Sequence, residues 1–146
     1  MIYTEQTKLA MRIAYDAHHG QIDKSGVPYV FHPYHLAEQM TDELTTCAAL
    51  LHDVIEDTPV TAEQLLHAGI SKEVVDAVEL LTRYDENEDY FAYVRRLKNN
   101  PIAAAVKRAD LIHNSDRGRL PSGKLPEKVA QRMEKYKSAL EILDED

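Results

Sequence analysis

The sequence predicts an all-α fold, a single compact bundle of about seven to eight short helices spanning residues 1–146. Three observations carry that prediction. Apolar residues recur at three- and four-residue spacing through nearly the whole chain, the period of a helix buried on one face. Helix starts and stops are punctuated by capping residues, prolines and a glycine. The one stretch with strand composition, Val27 to Phe31, is bracketed by Pro28 and Pro33 and reads as an extended loop leading into a helix at Pro33.

Taken in order, Thr4 caps a first helix in which Leu9, Ile13 and Ala17 recur every four residues, and His18 and His19 close it. After an irregular stretch near 19–32 and the helix from Pro33 comes Cys47 to Pro59, apolar on nearly every side in its first turns and so largely buried. Thr61-Ala62-Glu63-Gln64 is a capping box, and Gly69 ends that short helix. Ser71 caps the next, whose Val74, Val75, Val78 and Leu81 share a face. Beyond an irregular stretch near 83–88, Pro101 takes the first position of a helix over Ile102 to Asn114. A third irregular stretch, near 115–125, precedes a last helix begun by Pro126, with Val129, Met133, Tyr136, Leu140 and Leu143 in step.

Composition narrows the function. A formal charge of −8 speaks against a nucleic-acid or anionic-membrane partner, which would need a basic field. The single Cys47 cannot form an internal disulfide, and no stretch has the apolar length of a signal peptide or membrane span. A cytoplasmic protein is expected, and a homo-oligomer is left open. The 7 histidines stand out.

Four of the informative residues fall together. His52, Asp53, Glu56 and Asp57 end the Cys47–Pro59 helix, with Asp53 and Glu56, His52 and Glu56, and Asp53 and Asp57 one turn apart. No Lys or Arg stands three or four residues away to offset the acids, and a helix C-terminus disfavours negative charge. A bound divalent cation would compensate. His32 precedes the pair by 20 residues, and Asp110 and Asn114 share a face further on, although Asp110 also has Lys107 and Arg108 as ion-pair partners. His32, His52, Asp53 and Asp110 would form a mixed nitrogen–oxygen site suited to Mn²⁺, Fe²⁺ or Zn²⁺. Glu56 with Asp57 could hold or deprotonate an attacking water, and crowding should raise at least one of their pKa values.

A polyanionic substrate would need local positive charge. Residues 107–124 supply it, with Lys107, Arg108, Arg117, Arg119 and Lys124 against Asp110 and Asp116, net +3, and Lys24 could join them. Other features read as ordinary structure. His35 and His67 are surface or packing residues, His113 packs or supports a ligand from behind rather than serving as one, Cys47 lacks a nucleophile's surroundings, and Tyr29, Phe31 and Tyr34 suit a core or a pocket wall.

The residues resemble a family. The pattern His32, His52-Asp53, Asp110 is that of the HD-domain metal-dependent phosphohydrolases. Ala17-His18-His19-Gly20-Gln21, Lys24-Ser25-Gly26-Val27-Pro28-Tyr29, His32-Pro33, His52-Asp53-Val54-Ile55-Glu56-Asp57-Thr58 and Ala109-Asp110-Leu111-Ile112-His113-Asn114 resemble the hydrolase domain of RelA/SpoT-type enzymes and the small alarmone hydrolases. The resemblance implies Mn²⁺-dependent removal of the 3′-pyrophosphate of (p)ppGpp, a small nucleotide polyphosphate. It further implies His32, His52, Asp53 and Asp110 as metal ligands, Glu56 and Asp57 at the attacking water, and Lys24, Ser25 and Asn114 at the substrate. Lys107 and Arg117, from the basic segment, complete the expected substrate contacts. The family commonly has arginines where this chain has Asp23 and Leu111, and both departures remove positive charge near the nucleotide. Two alternatives remain: another HD-superfamily nucleotide or phosphomonoester hydrolase (5′-nucleotidase-like), or a catalytically silent nucleotide-binding regulatory module.

Overall fold

Thr4 and Thr7 exchange side-chain and backbone hydrogen bonds in a reciprocal capping box, and this starts α1 (Glu5–Ala17) in the computed structural model, which describes residues 1–120 and 123–145. Pro121 and Ser122, inside the expected irregular stretch, lie outside the described residues. Beyond α1 the helices are α2 (Phe31–Glu38), α3 (Glu43–Leu51), α4 (Val54–Asp57), α5 (Ala62–Ala68), α6 (Lys72–Leu81), α7 (Tyr90–Leu97), α8 (Pro101–Asn114) and α9 (Glu127–Asp144), with a 3₁₀ turn at Arg117–Arg119. The described residues hold no strand beyond one isolated bridge, Ile22 to Pro28. None of their helices is long and apolar enough to cross a membrane.

α3 is the central element. Cys47, Ala48, Ala49, Leu50 and Leu51 are all buried, and α3 packs against α1, α2, α6 and α8. Two adjacent alanines let neighbouring helices approach closely, while Leu36, Val75, Val78, Val106 and Leu111 fill the space between them. α9 closes the other flank against α7 and α8. The ends of α2 and α3 and the last turns of α8 are thereby brought to one side of the core.

Several boundaries differ from expectation. α2 begins at Phe31, two residues before Pro33; the proline sits in the first turn, where its missing N–H has no partner to lose. The buried face of α1 is Thr7, Ala10 and Ala14, with Leu9, Ile13 and Ala17 packed at its edge. Pro126 is the N-cap of α9, whose buried residues are Ala139 and Ile142. Ser71 precedes α6 without a side-chain cap; its N–H donates to Gln6 Oε1 at 3.2 Å instead. α7 is the helix that the sequence did not mark, begun by Asp89 accepting from the Ala92 N–H.

The largest correction concerns Cys47 to Asp57. The helix stops at Leu51, the chain turns through His52 and Asp53 (φ −108°, ψ 3°), and a single separate turn carries Glu56 and Asp57. The dipole of α3 therefore does not bear on those two acids. Their proximity to Asp53 survives because Asp53 is the N-cap of that turn and its carbonyl accepts the Asp57 N–H at 2.9 Å. Thr58 ends it by donating to the Val54 carbonyl at 2.5 Å.

Candidate active site

A cleft of about 460 Å³ opens where α2, α4, α8 and α9 meet the loop carrying Lys24 and Tyr29. Behind the lining residues His32, Asp53 and Asp110 is His52, 4% exposed, whose Nδ1–H donates to the Ala49 carbonyl at 2.7 Å. This bond fixes the tautomer and leaves the Nε2 lone pair facing inward. Nε2 lies 3.1 Å from Asp53 Oδ2 and 3.8 Å from Asp110 Oδ1, yet it has no hydrogen-bond partner among the described residues. His32 Nε2 meets Asp110 Oδ1 at 2.8 Å. Ligand atoms of His32, His52 and Asp53 all lie within 4.8 Å of one another. A buried, bare nitrogen among carboxylates is an unfavourable arrangement unless a cation joins them, so the donor set fits a divalent ion. Burial opposes the charged imidazole of His52, but Asp53 and Asp110 outweigh it and lift the pKa to about 9. A proton thus does in the ion-free protein what a metal would do.

Asp110 is held on every side. Lys107 Nζ reaches its Oδ2 at 3.0 Å, and Asn114 Nδ2 donates to Oδ1 at 2.9 Å. Burial disfavours this carboxylate, yet Lys107 keeps it well below the usual carboxylate range. Lys107 is itself half-buried beside the rings of Tyr90 and Tyr93, and Asp110 keeps it charged against that desolvation. Of the two cations weighed as partners for Asp110, Lys107 is the one used; Arg108 turns outward to pair with Asp144. Lys107 and Asn114, expected at the substrate, line the cleft but spend polar groups on Asp110.

The outer part of the cleft is open. Glu56 Oε1 accepts the Arg83 N–H at 2.7 Å. Partial desolvation and the neighbouring carboxylates raise both Glu56 and Asp57, although the Arg83 N–H works the other way on Glu56. Tyr29 donates its hydroxyl to Asp53, and desolvation followed by the Asp53 charge pushes the phenol far above its ordinary value. Lys24 and Ser25 stand on the loop above; Ser25 Oγ donates to the Arg119 carbonyl at 3.1 Å. Asp23, where the family pattern has arginine, accepts the N–H groups of Ser25 and Val27 at 2.8 and 3.0 Å and pairs with Arg119 at 3.5 Å. Arg117 is exposed on the 3₁₀ turn and is not part of the cleft wall, nor is Lys124. Of the basic segment, Lys107 and Arg119 reach the cleft.

Histidine and aromatic side chains complete the surroundings of the cleft. His113 Nδ1 is 2.7 Å from His32 Nδ1, and its ring stacks on His35 at 4.0 Å. Burial, then Arg119, lowers His113 to about 4, so it is neutral where it meets His32. Of the three aromatic residues weighed as core or pocket wall, Tyr29 lines the cleft, while Phe31 is 58% exposed and Tyr34 lies elsewhere. Arg132 and Tyr136 reach the cleft from α9, and no spacing in the sequence pointed to them.

A family model for the HD domain matches residues 10–115. The chain belongs to the HD-domain family. A guanosine-3′,5′-bis(diphosphate) 3′-pyrophosphohydrolase of Haemophilus influenzae is 40% identical over 115 residues, covering 70% of this chain and 17% of that protein. A protein of the same name from Vibrio cholerae is 51% identical over 77 residues, or 49% of this chain and 11% of its own length. The chain thus spans less than a fifth of these curated relatives. A solved structure described as a metazoan ortholog of SpoT that hydrolyzes ppGpp superimposes with a TM-score of 0.78. That match covers 99% of this chain and 88% of that one at 24% identity, which establishes the shared fold.

Proposed function

We propose that this protein is a Mn²⁺-dependent phosphohydrolase of the cytoplasm that removes the 3′-pyrophosphate of (p)ppGpp. The observation that carries the reading is the buried His52 Nε2, without a hydrogen-bond partner among the described residues, beside His32, Asp53 and Asp110 and behind a cleft whose wall holds Glu56 and Asp57. A divalent ion held by those four residues supplies a Lewis acid that polarises a phosphoryl oxygen and acidifies water. The chain's own groups do the rest. Lys107, Asn114 and Tyr29 fix the Asp110 and Asp53 carboxylates, so the ligand set is built before substrate arrives. Glu56, with Asp57 beside it, orients a water and takes its proton. The water oxygen bonds to phosphorus, the ribose 3′ O–P bond breaks, and a proton passes to the 3′ oxygen, yielding pyrophosphate and a nucleoside 5′-polyphosphate. Lys24 at the rim offsets phosphate charge, and Arg119 beside it shares its charge with Asp23. The relatives named as 3′-pyrophosphohydrolases support the choice of substrate.

The test is release of pyrophosphate and GDP from ppGpp by purified protein with Mn²⁺. One observation favours a second reading, a different HD-superfamily nucleotide hydrolase: Asp23 replaces a cation at the rim and occupies Arg119. Turnover of nucleoside monophosphates without turnover of ppGpp would select it. Nucleotide binding at full metal occupancy without turnover of either would instead mark a silent regulatory module.

A further inference from the structure

The Ala17-His18-His19-Gly20-Gln21 segment supplies none of the cleft residues, yet it is tied to two of them. His18, the C-cap of α1, is 1% exposed, and its Nδ1 lies 2.9 Å from Gln21 Oε1. Gln21 Nε2 donates to the backbone carbonyl of Asp57 at 3.1 Å. A carbonyl only accepts, so it dictates which end of the Gln21 amide faces it. The amide oxygen is then turned to His18, which must carry its proton on Nδ1. His18 Nε2 is left buried and without a partner among the described residues. An unpaired buried acceptor is destabilising, and an apolar side chain of similar size would fill the space without that cost. Packing therefore does not account for a histidine here, whereas its Nδ1–H does.

The same ring supports a second arm. Tyr29 packs against His18 with ring centroids 4.9 Å apart, its N–H donates to the Gln21 carbonyl at 2.9 Å, and its hydroxyl donates to Asp53. One arm ends on the Asp57 backbone and the other on the Asp53 carboxylate. These are the two ends of the one-turn α4.

We propose that His18 is a positioning residue which, through Gln21 and Tyr29, holds the α4 turn and its carboxylates in register with the metal ligands. Its kinetic consequence rests on the phosphohydrolase reading; its mechanical consequence does not. Leucine at position 18 removes the donor and the orphaned acceptor together, while asparagine restores an N–H near the place of Nδ1.

His18→Leu should lower kcat for ppGpp about 10- to 100-fold, the scale of lost support around a metal site. With Mn²⁺ saturating, KM should stay within twofold of the parent and the melting temperature should not fall. His18→Asn should recover most of the rate. Independently of any substrate, amide hydrogen exchange across residues 54–58 of the metal-free protein should speed up about tenfold in His18→Leu and return towards the parent rate in His18→Asn. Unchanged exchange in His18→Leu would overturn the proposal whatever the substrate proves to be, as would unchanged kcat in an active protein. If the parent turns over no ppGpp, the functional reading fails and the exchange result alone decides. Should His18→Leu not fold, Gln21→Met, at a half-buried loop position, carries the same expectations, and parental exchange and rate in that variant would sink the idea.

Discussion

His52, His32 and Asp110 are 4, 5 and 8% exposed, whereas Glu56, Asp57, Lys24 and Ser25, on the same cleft, face solvent. In the buried half, nearly every polar atom already has a protein partner: Asp110 has three, and His52 Nδ1 has the Ala49 carbonyl. Among the described residues the exception is His52 Nε2, where an ion would bind. In the open half, position is set by backbone bonds on short turns, and the charged ends remain available. The difference separates two tasks. Changes in the buried half should alter stability and ion retention together, while changes in the open half should alter turnover with the ion retained.

The sharpest way to break that comparison is Asp110→Ala. It strips Lys107 of its buried counter-charge and should cost about 3–5 kcal/mol in urea denaturation while abolishing Mn²⁺ binding in a titration. A variant as stable as the parent would show that the buried half is not built on this pair. Glu56→Gln should do the opposite. Its kcat should fall about 10²- to 10⁴-fold, the scale of a lost general base, with Mn²⁺ affinity unchanged. Its melting temperature at neutral pH should also rise. Glu56 titrates above its ordinary value in the fold, so ionisation is disfavoured there, and stability falls as pH rises through that raised value. A neutral amide removes this loss.

A smaller effect concerns pH and the ion. With His52 lifted to about 9, the metal-free site holds a proton at neutral pH that an incoming ion must expel. Apparent Mn²⁺ affinity should climb roughly tenfold per pH unit and level off near pH 9, one proton being released per ion. Calorimetry in buffers of differing ionisation heat measures that proton directly, and a pH-independent affinity would contradict the assignment of His52. The smallest effect belongs to the rim. The partly exposed Asp23–Arg119 pair is on the scale of about 0–1 kcal/mol. Asp23→Asn, which removes the charge but keeps an oxygen to accept the Ser25 and Val27 N–H groups, should therefore leave stability nearly unchanged. The freed Arg119 should lower KM for ppGpp by about threefold at low salt, and the gain should fade as salt is added.

How much of this could be read from the chain depended on the kind of information each feature needs. Adjacent residues such as His52-Asp53, and residues one helical turn apart such as Asp110 and Asn114, carry their geometry in their spacing. The all-helical architecture was legible for the same reason, since burial on one face leaves a period. The break after Leu51 left no such trace. Asp53, Glu56 and Asp57 are one turn apart whether the helix runs on or restarts, and the difference lies in φ and ψ at two residues. Lys107 and Arg108 are equally near Asp110 in sequence, and only the packing of α8 against its neighbours decides that one is half-buried and the other meets Asp144. Arg132 and Tyr136 enter the cleft through the return of α9, a long-range event without a local signature. His18 looked like an ordinary helix end. Its burial follows from a reversal at Gly20, in the left-handed region at φ 85°, which folds Gln21 and Tyr29 back over the ring.

The break between α3 and α4 also makes the active site modular. Adding or deleting one residue inside a continuous helix would rotate everything beyond it by about 100° and tear side chains from the core. At this joint the helix ends with Leu51, and the next element is a single turn capped by Asp53, anchored in the core by Val54 alone of its four residues and closed by Thr58. Sequence drift in that turn can re-aim or replace the water-handling carboxylates without disturbing the helix that carries the ion's histidine. A fold with such a joint can change its chemistry more cheaply than its architecture.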